Sequence, residues 1–92
     1  MTADFEKILT ITNRRGLHAR AAAKFVRTVE QYMADIRVSR EDVCVCGSSI
    51  MGLLTLAAST GTQIRISAKG DDATEALNAL EALVSDRFGE DI

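Results

Sequence analysis

The 92-residue chain contains no proline and no tryptophan, and its aromatic side chains are three phenylalanines and one tyrosine. Without proline the chain has no cis-prolyl bond and no slow prolyl isomerisation during folding. So few aromatic residues leave little surface for stacking on nucleic-acid bases, and a formal net charge of −2 gives no general attraction to phosphates. Nucleic-acid binding is therefore not expected.

Long apolar runs are also missing from the sequence. No stretch approaches the length of a membrane span, and residues 1–7 carry no signal-peptide pattern, so no membrane contact and a cytoplasmic location are expected. Apolar residues nevertheless make up 47% of the chain, which is enough for a hydrophobic core. The length predicts one small domain spanning residues 1–92.

Cysteine is scarce, and Cys44 and Cys46 are separated by a single valine. In a strand the two side chains point to the same face, and residues this close rarely form an unstrained disulfide. One C-x-C pair without further cysteines or clustered histidines is poor support for a metal site. We expect two small buried thiols in a strand, and neither a metal nor a cofactor.

Apolar periodicity predicts the order β-α-β-β-α-β-α. Alternating and β-branched residues predict strands at residues 5–12, 34–39, 43–46 and 62–68. Helical spacing predicts helices from residue 19 to about residue 32, over residues 50–58, and from residue 73 onward. Three helices and four strands bury their apolar faces best when all the helices lie on one side, so the prediction is an α+β fold with an antiparallel sheet.

The helices carry further local signals. Ser48 or Ser49 is expected to cap the second helix, and Asp72 followed by Glu75 is close to a capping box for the third. The end of the chain, residues 89–92, is expected to fray. The predicted buried positions are Ala22, Phe25, Val26, Val29 and Met33 in the first helix and Ala73, Ala76, Leu77, Leu80, Leu83 and Val84 in the last.

The only histidine, His18, stands directly before the first helix, with Gly16 and Arg20 on either side of it. No Ser, Thr, Asp or Asn immediately precedes Ala19, so the first N–H groups of the helix have no obvious side-chain cap and form a site for an anion. Arg20 adds a guanidinium suited to phosphate, and Gly16 permits a sharp bend. This pattern suits a neutral histidine that accepts and passes on a phosphoryl group, and the alternative is an ordinary surface histidine.

Two motifs together resemble a known family. The residues Gly16-Leu17-His18-Ala19-Arg20, followed by Ser49-Ile50-Met51-Gly52-Leu53, are similar to the HPr family, the histidine-containing phosphocarriers of the bacterial phosphoenolpyruvate-dependent phosphotransferase system. The resemblance covers nearly the whole chain. It implies a single HPr-like domain, residues 1–92, folded as an open-faced β-sandwich with a four-stranded antiparallel sheet and three helices on one face.

The resemblance also implies roles for individual residues. His18 would accept phosphate from enzyme I on Nδ1, Arg20 would steady the phosphoryl group, and an EIIA-type protein would receive it. The family's regulatory serine corresponds to Ser49, the target of the HPr kinase/phosphorylase in some bacteria, and Ser48 stands where lysine is frequent. Ala21 replaces the family's usual proline; because alanine is a good helix former, we expect a modest change in geometry and retention of the site.

Partners are expected to dock on exposed apolar residues of the second helix, surrounded by basic residues of the first, because such a surface suits transient contact with acidic partners. An open alternative is that two of the three apolar residues, Ile50, Met51 and Leu54, belong to the core. Ser49 likewise has two interpretations, a helix cap or a regulatory switch. The expected docking residues are Arg20, Lys24, Arg27, Ile50, Met51 and Leu54.

Three functional hypotheses follow for a protein expected to be monomeric. The first is a phosphocarrier, which is not itself an enzyme. The second is a regulatory interaction protein of a nitrogen-related phosphotransferase branch that binds partners without efficient phosphate relay. The third is an enzyme with His18 as general base, which is weak because the sequence has no second histidine and no clear carboxylate partner near the motif.

Overall fold

An antiparallel sheet and three helices make up the fold. The computed structural model describes residues 5–90. Every predicted strand and helix is present, with its ends shifted by at most three residues, which is normal for helix and strand boundaries. The elements are β1 (Phe5–Thr10), α1 (Ala19–Val29), β2 (Asp35–Arg40), β3 (Val43–Cys46), α2 (Ile50–Thr55), β4 (Gln63–Lys69), α3 (Ala73–Ser85) and a short 3₁₀ turn (Arg87–Gly89).

The four strands lie in the order β1-β4-β2-β3, and each neighbouring pair is antiparallel. Leu9 is opposite Ile64 across β1 and β4, and Val38 is opposite Ile66 across β2 and β4. These residues are all buried, whereas Arg65 between the two β4 isoleucines is exposed. The period of two thus gives the sheet one apolar and one polar face, and the predicted open-faced α+β architecture is confirmed.

The core fills the space between the apolar sheet face and the helices. From α1 it receives Phe25 and Val29, and from α3 it receives Leu80 and Val84, all nearly or fully buried. The single stripe on each helix therefore faces the sheet, as the helical spacing predicts. None of the helices within residues 5–90 is long and apolar enough to cross a membrane.

The first helix ends earlier than its apolar pattern predicts. After Val29 the N–H groups of Gln31 and Tyr32 donate to Thr28 and Val29, three residues back, so the chain tightens and leaves the helix. Met33 consequently lies beyond the helix with 77% of its surface exposed. The prediction that Met33 belongs to the buried stripe is wrong.

The predicted capping box of α3 is also absent. Asp72 is the N-cap residue, but its side chain makes no capping hydrogen bond. Its carboxylate oxygen Oδ2 instead accepts a hydrogen bond of 2.7 Å from the backbone N–H of Met33. A tertiary contact therefore replaces the local one, and it ties the start of α3 to the segment after α1.

Cys44 and Cys46 lie in β3 as predicted, but both are exposed, so the expectation of buried thiols is wrong. β3 is an edge strand, and its side chains alternate between the two sheet faces. Val45 points toward α2, where it lies close to Gly52. The thiols on either side of Val45 therefore point to the open face of the sheet.

Candidate functional site

The loop before α1 is held against the segment after α2. Gly16 has φ +71°, a left-handed backbone that favours glycine, and a Cβ at this position would lie 2.6 Å from the carbonyl oxygen of Ala58. The next residue, Leu17, is buried, and its N–H donates to the same carbonyl at 2.8 Å. Glycine is thus favoured at position 16 for two reasons, the left-handed backbone and the close approach of the segment after α2. These contacts of Gly16 and Leu17 fix the position of the next residue, His18.

His18 is itself the N-cap residue of α1. Its backbone is extended, with φ −81° and ψ 179°, and its ring nitrogen Nδ1 accepts a hydrogen bond of 3.2 Å from the backbone N–H of Arg20. The expectation that no side chain caps this helix is therefore wrong, because the imidazole does so in place of the usual Ser, Thr, Asp or Asn. The bond turns the Nδ1 lone pair toward the positive end of the helix dipole.

The second ring nitrogen of His18, Nε2, contacts the carboxylate of Glu90 through Oε2. The other carboxylate oxygen of Glu90 accepts a hydrogen bond of 3.1 Å from the side-chain amide of Asn13. The same amide donates to the carbonyl of Gly16 at 2.7 Å, and Asn13 is completely buried. Nδ1 accepts from a backbone N–H and Nε2 faces a carboxylate, so these contacts assign the proton of the neutral ring to Nε2.

Glu90 is held in place by the residues that precede it. Phe88 is fully buried, and its carbonyl oxygen accepts a hydrogen bond of 2.6 Å from the ammonium group of Lys24 in α1. The expected fraying of residues 89–92 is therefore wrong for Gly89 and Glu90, because a buried aromatic side chain and an ion–dipole contact fix the segment. The last two residues lie outside the described part of the chain.

The carboxylate of Glu90 has an environment that favours its charged form. Burial acts to raise the pKa of Glu90, but hydrogen bonds from His18 and Asn13 act to lower it. The positive charge of Arg15 acts in the same direction, and the net effect is a lowered pKa of Glu90. Glu90 is therefore an anion at neutral pH, beside the only histidine.

A carboxylate in contact with a histidine is also found in enzymes, where it orients the ring of a general base. No clear carboxylate partner lies near the motif in the sequence, but the fold brings Glu90, 72 residues away, into contact with His18. A groove of about 730 Å³, lined by residues such as Ile8, Ser39 and Arg65, lies elsewhere on the sheet and does not include His18. Within residues 5–90 no three His, Cys, Asp or Glu side chains lie together so as to hold a metal ion.

The residues expected to dock partners lie on α1 and α2, which pack against each other. Arg20 and Arg27 are exposed, whereas Lys24 is half-buried and bonded to the C-terminal segment. On α2, Ile50 is 38% and Met51 72% exposed, and Leu54 is half-buried. None of the three apolar residues is fully buried, so the alternative that two of them belong to the core is excluded.

Ser49 is the N-cap residue of α2, as one of the two serine alternatives predicts. Its hydroxyl oxygen accepts a hydrogen bond of 2.9 Å from the backbone N–H of Gly52. Its own N–H donates to the carbonyl of Cys46 at 3.2 Å, which links the start of α2 to the end of β3. Ser48, by contrast, is exposed, and its hydroxyl lies 3.0 Å from the thiol of Cys46.

Comparison with known sequences gives relatives that all belong to one family. Residues 5–86 match the PTS-HPr family, described as the PTS HPr component phosphorylation site. The chain is 48% identical to the phosphocarrier protein HPr of Pseudomonas aeruginosa over 89% of this chain and 92% of that protein. It is 45% identical to the phosphocarrier protein HPr of Neisseria meningitidis over the same shares of the two chains.

Solved structures give the same result. An HPr structure from Thermoanaerobacter tengcongensis superposes with a TM-score of 0.92 at 41% identity, covering 96% of this chain and 99% of that one. The phosphocarrier protein HPr of Bacillus anthracis superposes with a TM-score of 0.85 at 41% identity, covering 89% of this chain and 98% of that one. The chain therefore belongs to the HPr family, the phosphocarriers of the bacterial phosphotransferase system.

Proposed function

We propose that His18 accepts a phosphoryl group on Nδ1 from enzyme I and passes it to an EIIA-type protein. The observation that supports this proposal is that the two ring nitrogens of His18 make different contacts. Nδ1 presents its lone pair at the start of α1, whereas Nε2 is engaged by the carboxylate of Glu90. A neutral imidazole held in this tautomer is the nucleophilic form, because Nδ1 carries no proton and its lone pair accepts only the hydrogen bond from Arg20.

In the forward step the Nδ1 lone pair of His18 forms a bond to phosphorus, and the bond from phosphorus to the donor protein breaks. In the unphosphorylated state the backbone N–H of Arg20 donates a hydrogen bond to Nδ1. After transfer, the same N–H donates to a phosphoryl oxygen instead. The positive end of the α1 dipole and the exposed Arg20 guanidinium stabilise the negative charge on those oxygens. These are positioning and electrostatic contributions of the kind that dominate phosphoryl transfer.

Glu90 stabilises the other end of the reacting ring. When Nδ1 bonds to phosphorus, the ring still carries a proton on Nε2 and therefore develops positive charge. The carboxylate of Glu90 faces that proton and balances the charge, while the buried amide of Asn13 fixes the carboxylate. The ring is thereby held in one orientation for both the accepting and the donating step.

Partners are proposed to dock on the surface formed by α1 and α2. Ile50 and Met51 expose apolar surface there, and the exposed Arg20 and Arg27 lie on the adjoining helix. Such a surface suits short-lived contact with acidic proteins, as required of a carrier that meets a donor and an acceptor in turn. The carrier would act as a cytoplasmic monomer and is not itself an enzyme.

Regulation by phosphorylation at Ser49 is also proposed, by a protein of the HPr kinase/phosphorylase type. Ser49 caps α2, and an anion is well tolerated at a helix N-cap, so the added phosphate should leave the fold intact. The phosphate would instead place negative charge beside Ile50 and Met51 on the docking surface. Repulsion of an acidic partner would then reduce transfer.

The test is the intact mass of the chain after incubation with phosphoenolpyruvate and enzyme I. We expect one acid-labile phosphate in the wild-type chain and none in His18→Ala. Because His18 caps α1, the alanine variant loses about 1 kcal/mol of stability. His18→Asn is the matched control, since asparagine is a good cap without a nucleophilic ring.

Two other results would change the conclusion. A folded chain that takes up no phosphate, while the same enzyme I phosphorylates another HPr, would favour the regulatory interaction protein. Ala21 would then be the residue to change first, because it stands in the first turn of α1 where the family usually has proline. Phosphate on the His18→Asn variant would show that the acceptor is a different residue.

A further inference from the structure

Two nucleophilic side chains lie outside the site described above, on the open face of the sheet. Cys44 and Cys46 are both exposed and are free thiols. They belong to β3, an edge strand, and the period of two in a strand places them side by side on the same face. Two accessible thiols in this relation form a pair that an oxidant can reach from solvent.

The two thiols have different surroundings. The sulfur of Cys46 lies 3.0 Å from the hydroxyl of Ser48, and across the β2–β3 pair Cys46 is directly opposite Arg37. Cys44 is opposite Ser39, a neutral residue. The side-chain and backbone hydrogen bonds of Ser48 lower the pKa of Cys46, with help from the charge of Arg37, whereas burial and Asp35 act to raise it. Cys46 is therefore the better candidate for the attacking thiolate.

We propose that Cys46 and Cys44 form a peroxide-sensitive thiol pair, with Cys46 as the thiolate that attacks and Cys44 as the thiol that resolves. The oxidant is hydrogen peroxide or another hydroperoxide. The Cys46 sulfur forms a bond to one peroxide oxygen, the O–O bond breaks, and the released hydroxide takes up a proton as water. Cys44 then attacks the sulfenic sulfur, the S–O bond breaks, and a second water leaves as the disulfide forms.

The spacing of the pair makes the disulfide reversible. Two residues along a strand span about 6.6–6.8 Å between Cα atoms, at the upper end of the range that a disulfide tolerates. The bond therefore requires β3 to bend, which an edge strand permits because only one side is hydrogen-bonded to a neighbour. Strained and exposed disulfides are readily reduced, as a regulatory site requires.

A bend of β3 at Cys46 would displace the turn that leads into α2. The carbonyl of Cys46 accepts the N–H of Ser49, and the N–H of Gly47 donates to Ile36 at 2.7 Å. Oxidation removes the thiolate that Ser48 stabilises and displaces this turn.

The thiol pair is independent of phosphate acceptance by His18, so its test does not depend on the phosphocarrier function.

The experiment treats the reduced full-length chain with hydrogen peroxide and measures intact mass without reductant. We expect a monomer that has lost two hydrogen atoms and regains them with dithiothreitol. In Cys44→Ser the sulfenic acid has no resolving thiol, so dimedone should label Cys46. In Cys46→Ser the labelling of Cys44 should be slower, because Cys44 lacks the hydroxyl at 3.0 Å and the opposite arginine that favour the Cys46 thiolate.

Three outcomes would overturn the proposal. One is faster or equal dimedone labelling of Cys44 in the matched variant. A second is a disulfide between two chains and none within one, and a third is a chain unchanged by peroxide under conditions that oxidise a free small-molecule thiol. Both serine variants replace exposed side chains, and circular dichroism checks that they fold. Ser48→Ala should slow labelling of Cys46 in the Cys44→Ser background, since it removes the hydroxyl at 3.0 Å.

Discussion

Replacing Glu90 with glutamine tests how much the carboxylate contributes to the proposed acceptance of phosphate by His18. Glutamine keeps the length of the side chain and its carbonyl oxygen but removes the negative charge. A hydrogen bond to a charged partner contributes about 1.5–3 kcal/mol. The side chains of His18 and Glu90 are 23% and 16% exposed, so solvent screens the pair and the lower end of that range applies.

The expected effect on the rate follows from where charge develops. As the ring of His18 bonds to phosphorus it becomes cationic, and in Glu90→Gln no anion balances it. A loss of about 1.4 kcal/mol from the transition state corresponds to a rate about tenfold lower. Glu90→Asp keeps the charge but is one methylene shorter, so its rate should fall between those of the wild type and Glu90→Gln.

The assay is the initial rate of phosphohistidine formation with phosphoenolpyruvate and enzyme I, at limiting concentrations of the chain. Glu75→Gln is the matched control, because Glu75 is exposed in the first turn of α3. Ten residue steps lie between Glu75 and Ser85, the last residue of α3, so about 15 Å of helix separates Glu75 from the C-terminal segment. A Glu90→Gln rate within about twofold of the control, or above it, would refute the role proposed for the carboxylate.

The stability of the chain should depend on pH through the same carboxylate. The pKa of Glu90 is lowered in the folded chain, so its contribution to stability is complete above the ordinary glutamate pKa of about 4.3. That contribution is lost as the pH falls through the lower pKa of the folded state. We expect the melting temperatures of the wild type and Glu90→Gln to differ most near neutral pH and to converge in acid. A difference that grows in acid would contradict this sign.

The remaining predictions concern the residues that position the site. Gly16→Ala should destabilise the chain more than Gly61→Ala. Both glycines have positive φ, but a Cβ at position 16 would lie 2.6 Å from a carbonyl oxygen, whereas a Cβ at position 61 has open space around it. Equal melting temperatures of the two variants would argue against the close approach at Gly16. Ser49→Ala should lose about 1 kcal/mol of stability with its cap, whereas Ser49→Asp should keep the stability and transfer phosphate more slowly. A large drop in the melting temperature of Ser49→Asp would count against the switch. Phe88→Ala should lose about 3–5 kcal/mol in chemical denaturation, because this fully buried ring anchors the C-terminal segment, and a loss below about 1 kcal/mol would mean that the segment is not docked.

The sheet and the helices were accessible from the sequence because their signals are local, and the proposed role of His18 rests on equally local residues. The alternation of Ile64 and Ile66 with exposed residues predicts β4 and its buried face. The glycine, histidine and arginine near the start of α1 are close in sequence and remain close in the fold. Here the local pattern and the tertiary structure favour the same result.

Glu90 was not accessible in this way, because 72 residues separate it from His18. A polar chain end predicts fraying unless a tertiary contact holds it, and no sequence period reports such a contact. One signal was present: Phe88 is a large apolar residue just after the last helix, and its burial requires the chain to turn back onto the core. The same limit explains Asp72, whose tertiary hydrogen bond to Met33 replaced the expected local cap.

The exposure of the two cysteines shows a further limit. Periodicity correctly assigns Cys44 and Cys46 to one face of a strand, but it does not say which face the helices cover. That choice follows from the order of the strands, with β3 at the edge and Val45 turned toward α2. Composition favours burial of cysteine on average, and here the topology overrides that preference.

The most direct test of the account is to identify which ring nitrogen of His18 carries the phosphoryl group. A ¹⁵N-labelled chain phosphorylated by enzyme I would be studied by NMR correlation of ³¹P with the ring nitrogens. The contacts of Arg20 and Glu90 predict coupling of phosphorus to Nδ1, with the proton remaining on Nε2. Phosphorus bonded to Nε2, or to a residue other than His18, would contradict the central claim.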